Sequence, residues 1–389
     1  MYDFPLPDHH CYGPSPDPLL LAQWLEESNA LTCSILKNLQ AGQELVPQLD
    51  IVNPPYWEFG HLTWFHEFWV QRKGNDQSPS ALQNADYWFN SSDIAHGDRW
   101  SIAMPSIDAL LEFNAQVVSR TQCLLQQTLS AEDLYFIQLA IFHQDMHNEA
   151  FAYMWQTLGY AAPFESFSKK EVSPSTYKST LPSNTYITFA ETTVVAGSRP
   201  HSGFIFDNEK WGHPVVVPAF SIAQQAVSNA AYLAFLESDQ NQSKINPSIP
   251  LGHWKKEGAV WMQRTFNQWS PLNPHEPVRN IAYADAEQYC QWAGVRMPTE
   301  HELSLLLSQE SQAWQASHLW EWTTSVFAPF PGFTADPYAD YSQPWFDGSY
   351  QVLKGWSAYT PERMRRPALR NFYKPSRSDH FCGFRTCLL

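Results

Sequence analysis

The chain has 389 residues, 39 of them acidic against 24 Lys and Arg, for a formal charge of −15. No basic run interrupts that balance, so the electrostatic footprint of a nucleic-acid binder is missing; no basic-then-apolar leader opens the chain, and no stretch nears the ~18 consecutive apolar residues of a membrane span. The expectation is a soluble, cytoplasmic protein of two domains, neither a membrane nor a nucleic-acid partner, whose six cysteines (Cys11, Cys33, Cys123, Cys290, Cys382, Cys387) lack a CxxC pair and stay reduced.

Apolar residues recur at helical spacing through roughly 17–40, 57–73, 106–129 and 131–158. Pro54-Pro55, the stretch GNDQSPS and Ser130, an N-cap before Glu132 and Asp133, punctuate them. Four helices of this length predict a bundle with a site between facing helices. From about 160 to 187 the text FESFSKKEVSPSTYKSTLPSN loses periodicity and reads as a linker. Beyond it, the β-type runs TYITFA, HPVVVPAFSIA, GAVWMQRT and YQVLKGW alternate with long loops, and two helices are expected, near 225–237 and at 283–293. The fold class is α+β, with residues 1–160 as bundle, 161–187 as linker and 188–389 as an irregular domain. Repeats, GxGxxG and phosphate-loop motifs are absent.

Chemistry enters at FHQDMHNEAF, where His143 and His147 stand one turn apart among Phe136, Leu139, Ala140, Met146, Ala150, Phe151 and Met154. The plainer reading of each is a core imidazole satisfied by a hydrogen bond. Two on one turn are costly to bury unless a metal or an acid satisfies both. His61 shares a helix face with Trp64, Phe65 and Phe68, whereas His66 and Glu67 fall off that face. Three neutral ligands leave coordination positions open, which suits Fe(II) binding of substrate and oxygen better than a closed zinc site. The 17 Trp, 17 Tyr and 24 Phe build large cores and also offer ring faces to a quaternary ammonium group. Asp145, Glu149 and Glu67 are the carboxylates considered for orienting an imidazole.

The segments PVRNIAYADAEQYCQWAGVRMPTEHEL, LWEWTTS, PFPGFTADPYADYSQPWF, VLKGWSAYT, RNFYKP and the terminal GFR make the second half resemble the formylglycine-generating-enzyme-like domain, a relative of C-type lectins. NPPYWEFGHLTWFHEFW with FHQDMHNEAF makes the first half resemble a DinB-type four-helix bundle with its metal pattern. The combination is similar to the non-heme iron enzymes that join sulfur or selenium to hercynine, the ergothioneine-type sulfoxide synthases. Three details, NPPYWEFGH, ADYWFNSSDIAHGDRW and HQDMHNEA, look most like the selenoneine-forming branch.

That resemblance implies Fe(II) on His61, His143 and His147, and O2-dependent C–Se bond formation between hercynine and a selenosugar; the alternative is C–S bond formation with cysteine or γ-glutamylcysteine. Tyr338 and Tyr341 match a tyrosine pair of which one supplies a proton or electron, Tyr338 being preferred. Asn371 and Phe372 match residues at the hercynine pocket. In members that use γ-glutamylcysteine an acidic residue follows the RNF element and an arginine stands four later; here Tyr373 replaces the acid and Arg377 is kept. Arg99 and Arg385 are further pocket residues in this reading, with a structural ion pair as the plainer role of each. Three rivals stand beside it: a zinc-dependent DinB-type thiol transferase, a non-enzymatic lectin-like binding module, and formylglycine generation, which needs reactive cysteines at Cys382 and Cys387.

Overall fold

The computed structural model describes residues 16–163, 185–238, 252–309 and 314–389. Most of the expected linker, residues 164–184, and Cys11 lie outside them. The chain divides into two compact units, neither a continuous stretch. The first takes the chain through Met154 together with Pro200–Ile205 and Asp336–Asp340; the second takes Trp155–Arg199, Phe206–Ala335 and Tyr341–Leu389.

The helical unit is built on α1 (Pro18–Lys37), α2 (Pro55–His66), α4 (Ile107–Leu124) and α5 (Ala131–Leu158), with a short α3 (Ala85–Phe89). The four long helices are those expected, and each starts where local chemistry dictates. Asp17 caps α1, accepting from Leu19 N–H, and Ser106 caps α4 through Ala109 N–H. Ser130 Oγ accepts from Asp133 N–H while Asp133 returns a bond to Ser130 N–H, a reciprocal cap for α5. Pro55 opens α2 at a position whose N–H would be orphaned anyway. Between α1 and α5 runs a buried polar seam: Thr32 donates to Asn148 Oδ1 (2.8 Å), Gln144 donates to Thr32 Oγ1 (2.9 Å), and Asn148 donates to the Ser28 carbonyl (3.1 Å). Such a matched network fixes the register of two helices more sharply than apolar contact alone.

Helix α2 differs from the expected one-faced helix. It is buried almost all round, and a five-residue π-helical turn, Glu67–Gln71, extends it. His66 and Glu67, expected off the apolar face, are 4% and 1% exposed. They are buried because polar partners meet them: His66 Nε2 lies 2.9 Å from Thr121 Oγ1 on α4, and Glu67 accepts from Ser80 Oγ and Ala81 N–H.

In the second unit, β11 (Asn371–Tyr373), β10 (Gln351–Gly355), β9 (Trp320–Val326) and β12 (Cys382–Phe384) form one sheet in that order, with β9 and β12 parallel. A second sheet joins β1 (Tyr186–Phe189), β4 (Phe220–Ala223), β13 (Cys387–Leu388) and β8 (Val295–Arg296), and a third joins β5 (Trp254–Glu257), β6 (Val260–Thr265) and β7 (Gln268–Pro271). The hairpin of β2 (Thr192–Ala196) and β3 (His213–Val217) stands apart as a two-stranded sheet. The two expected helices appear at Asn229–Leu236 and Tyr283–Ala293, the latter closed by Gly294 at φ 65. A third, Glu300–Leu307, was not expected; Thr299 and Glu302 form its capping box, and Leu303, Leu306 and Leu307 pack on Val217, Phe220 and Ile222. This is a mixed helix-and-sheet chain, with no helix among the described residues long and apolar enough to cross a membrane.

Candidate metal centre

His61, on α2, and His143 and His147, on α5, place one ring nitrogen each within 4.8 Å of one another. His61 and His147 are each oriented by a hydrogen-bond partner, whereas the buried His143 Nδ1 has none among the described residues and its ring is held by stacking on Phe65. The Phe89 carbonyl lies 2.8 Å from His61 Nδ1. A carbonyl only accepts, so Nδ1 carries the proton and the Nε2 lone pair is left for a ligand. Glu58 takes the proton-bearing Nδ1 of His147, which again leaves Nε2 as the donor atom. His147 Nε2 stands 3.2 Å from His143 Nε2. Two nitrogens bound to one ion at about 2.1 Å lie within about 4.2 Å of each other, so this spacing fits a shared ion.

The supports are themselves held. Helix α3 is a single turn whose last carbonyls have no intrahelical donor; α2 supplies side chains instead, Trp57 Nε1 donating to the Trp88 carbonyl (2.7 Å) and His61 to that of Phe89. Asp86 anchors the other end, accepting from Trp64 Nε1 (2.6 Å) and from Arg72 at 2.6 and 2.9 Å. Gly60 permits the close approach: a Cβ there would lie 2.2 Å from Phe89 Cε1. Behind His147 a relay runs outward, with Asn53 donating to Glu58 Oε2 (2.6 Å) and Arg99 donating to Asn53 Oδ1 (2.8 Å). Arg99 also covers the Trp57 ring at 3.9 Å.

Aromatic rings close the rest. Trp57 stacks on His61 (5.1 Å, 6°) and Phe65 on His143 (3.6 Å, 11°). Tyr338, carried into this unit by the segment Asp336–Asp340, sets its ring 4.8 Å from Phe65 and 6.2 Å from His143. In this dry setting burial, followed by the neighbouring His147, pushes His61 down to about 3, and burial holds His143 well below the usual imidazole range. For Glu58 burial acts upward, but His147 outweighs it and the carboxyl is held low. The result is two neutral imidazoles and an ionised carboxylate, the protonation states that metal ligation and its support require.

The other candidate residues lie in the second unit. Tyr341 stacks on Phe206 (4.4 Å), and Phe372 stacks on Phe327 (3.9 Å). Asn371 turns its Oδ1 back to the Phe372 N–H (2.9 Å). Tyr373 stacks on His380 (4.0 Å) and lies under the Arg377 guanidinium, which is bound to Asp379 at 2.5 Å. Arg385 is fully buried, donating twice to Glu321 (2.9 and 3.0 Å) and to the carbonyls of Ala223 and Gln315. From the link between β12 and β13 it clamps β9 and β4, so the plainer role describes its surroundings. Cys382 and Cys387 are both 0% exposed; burial pushes the Cys387 thiol up to about 12 and Cys382 further. Neither is the reactive thiol that formylglycine generation needs.

The sequence reading missed Glu58, Asn53 and Phe89. Glu58 was legible: it precedes His61 by three residues, on the same helix face. Of the carboxylates named instead, Glu67 is engaged with Ser80 and Ala81.

Residues 177–318 match the sulfatase-modifying factor enzyme 1-like domain. The hercynine oxygenase of Mycolicibacterium thermoresistibile is 24% identical over 88% of this chain and 89% of its own length. That of Mycobacterium tuberculosis is 25% identical over 88% of this chain and 92% of its own. Ergothioneine biosynthesis protein 1 of Schizosaccharomyces pombe is 24% identical over 87% of this chain but 52% of its own length.

Proposed function

We infer that this chain, an oxidative enzyme of the ergothioneine-type sulfoxide synthase family with a sulfatase-modifying-factor-like domain, couples a chalcogen donor to the imidazole ring of hercynine at the expense of O2. The observation that carries the reading is the convergence of three imidazoles in an aromatic, water-poor site bordered by Tyr338. With a thiol donor the balance is hercynine C–H plus RSH plus O2 giving the C–S(=O)R adduct and water: one C–S bond forms, sulfur is oxidised, and O2 is reduced by four electrons.

His61, His143 and His147 are the proposed ligands, and their all-nitrogen donor set fits Fe(II). When bound, the iron supplies a common attachment point for imidazole, chalcogen and oxygen, together with oxygen activation. Everything else is the work of the protein's own groups. Glu58 and the Phe89 carbonyl hold two imidazoles in the tautomer that presents Nε2. Tyr338 is the proposed proton donor at the reduced oxygen, favoured over Tyr341 because its ring borders His143. The rings of Trp57, Trp64 and Phe65 exclude water, and Arg99, Asn371, Phe372, Tyr373 and Arg377 are proposed substrate contacts. Arg385 is left out of that set because its donors are committed to Glu321 and two carbonyls.

Sulfur is the chalcogen that the similarity to hercynine oxygenases supports. Selenium is favoured by one feature: where the members that use γ-glutamylcysteine carry an acid, this chain has Tyr373, and the neighbouring Arg377 is neutralised by Asp379. A neutral hydroxyl-rich donor such as a selenosugar suits that surface better than a charged peptide. The test is anaerobic Fe(II) reconstitution followed by air, hercynine and an equimolar mixture of selenosugar, γ-glutamylcysteine and cysteine, with products identified by mass. A selenium adduct establishes the second reading, a sulfoxide adduct the first. Absence of any oxygen-dependent adduct overturns both and favours the metal-dependent transferase.

A further inference from the structure

A cavity of about 350 Å³ opens within the second unit, framed by β6, β7 and the segments around 276–279, 317–319 and 358–359. Its volume lies in the range of small-molecule sites. Gln263 and Thr265 are two apart on β6, and Gln263 faces Ser270 across the ladder. Their side chains therefore share one sheet face, and all three line the cavity. Gln263 is 4% exposed, yet its amide has no hydrogen-bond partner among the described residues. Its polar atoms are not sealed off but open on the cavity, where they can meet water or a ligand.

Two charges of opposite sign line the same space. Arg279 donates to Thr265 Oγ1 and Glu276 accepts from Asn273 Nδ2 (3.1 Å), but neither is in an ion pair among the described residues. A guanidinium with donors to spare is built for a carboxylate, and the carboxylate three residues away for an ammonium. One part of the wall is aromatic: Tyr359 stacks on Phe381 at 4.5 Å and 27°. His318, also lining the cavity, is held at φ 55, a conformation that side chains other than glycine adopt rarely and that often marks ligand clamps.

We propose that this cavity is a binding site for a free α-amino acid with an aromatic side chain. Its carboxylate meets Arg279 and the Gln263 amide, its ammonium meets Glu276, and its ring packs against Tyr359 and Phe381. The unpaired opposite charges select a zwitterion over a neutral polyol, for which they would be an unused desolvation cost. The site shares no residue with the histidine cluster and does not depend on the function proposed above.

The experiment is isothermal titration of the full chain with L-phenylalanine and L-histidine. Phenethylamine, which lacks the carboxylate, 3-phenylpropionate, which lacks the ammonium, and methyl glucoside serve as comparisons. Saturable binding of an amino acid is expected, weakened about tenfold or more by loss of either charged group. Gln263→Leu removes no hydrogen bond and should stay folded by circular dichroism while losing affinity; Arg279→Gln should lose more, and His143→Ala none. The proposal is overturned if neither amino acid binds saturably in the millimolar range or if the truncated analogues bind equally well. It is equally overturned if methyl glucoside binds tighter, if affinity survives both cavity variants, or if His143→Ala abolishes it.

Discussion

Gly60→Ala tests the packing that presents His61. A Cβ at position 60 would lie 2.2 and 2.3 Å from Cε1 and Cζ of Phe89, a residue with no exposed surface into which to turn. The ring must retreat by about 1 Å or more to reach ordinary contact, and it carries with it the carbonyl that fixes His61 Nδ1. Three magnitudes compete. Alanine in a helix interior gains about 1 kcal/mol over glycine. Overpacking a sealed contact costs about 1–3 kcal/mol, and weakening the His61 hydrogen bond costs roughly 1 kcal/mol more. The balance is a net loss of about 1–3 kcal/mol, read as a lowered urea midpoint at unchanged slope. Metal affinity of the folded variant should fall about 10- to 100-fold, since a disturbed support is felt at the ligand. Adding Phe89→Leu should recover most of the stability. A Gly60→Ala protein more stable than the parent, with undiminished metal affinity, refutes the reasoning.

Tyr338→Phe should keep fold and metal binding but divert turnover from the hercynine adduct to oxidation of the donor alone, whereas Tyr341→Phe should keep the adduct as main product; product ratios by mass decide. Arg385→Met leaves Glu321 buried without its partner and should cost about 3–5 kcal/mol in denaturant melts, much of it regained by adding Glu321→Leu, with turnover per folded molecule unchanged. His253 is pushed down to about 3 by burial, then by Arg264 and Arg279, and accepts from Gln156 (3.0 Å). Its folded value lies below its unfolded one, so the neutral ring contributes stability that is fully present above about 6.5 and is lost as pH falls toward 3. His253→Gln should flatten that acid limb, and a stability–pH profile identical to the parent's counts against it.

The bundle was legible because periodicity and caps agree: Asp17, Ser106 and Ser130 start helices where the apolar pattern begins. The two i, i+4 histidines announced a shared face, and the structure brings His61 to them. The pairing of His147 with its carboxylate was not legible because that carboxylate comes from a different helix, α2, and pairing across helices leaves no spacing signal in the sequence. Helix α3 was illegible for a different reason. Five residues carry too little periodicity to signal a helix, and this one exists because Asp86, Trp88 and Phe89 find tertiary partners. In the second unit most strands are two to seven residues long and pair across the sequence, as β12 does beside β9, so alternation had little length in which to show.

The mooring of α3 ties a sealed interior to the surface. Asp86 is 45% exposed at its side chain while Arg72 opposite is 4% exposed, and the same short turn ends in the carbonyl that fixes a wholly buried imidazole. The orientation of His61 is therefore adjustable from outside. A conservative change at residue 86, Asp86→Asn, which keeps an acceptor for Trp64 and Arg72, offers a means of tuning how firmly the ligand is gripped without entering the pocket.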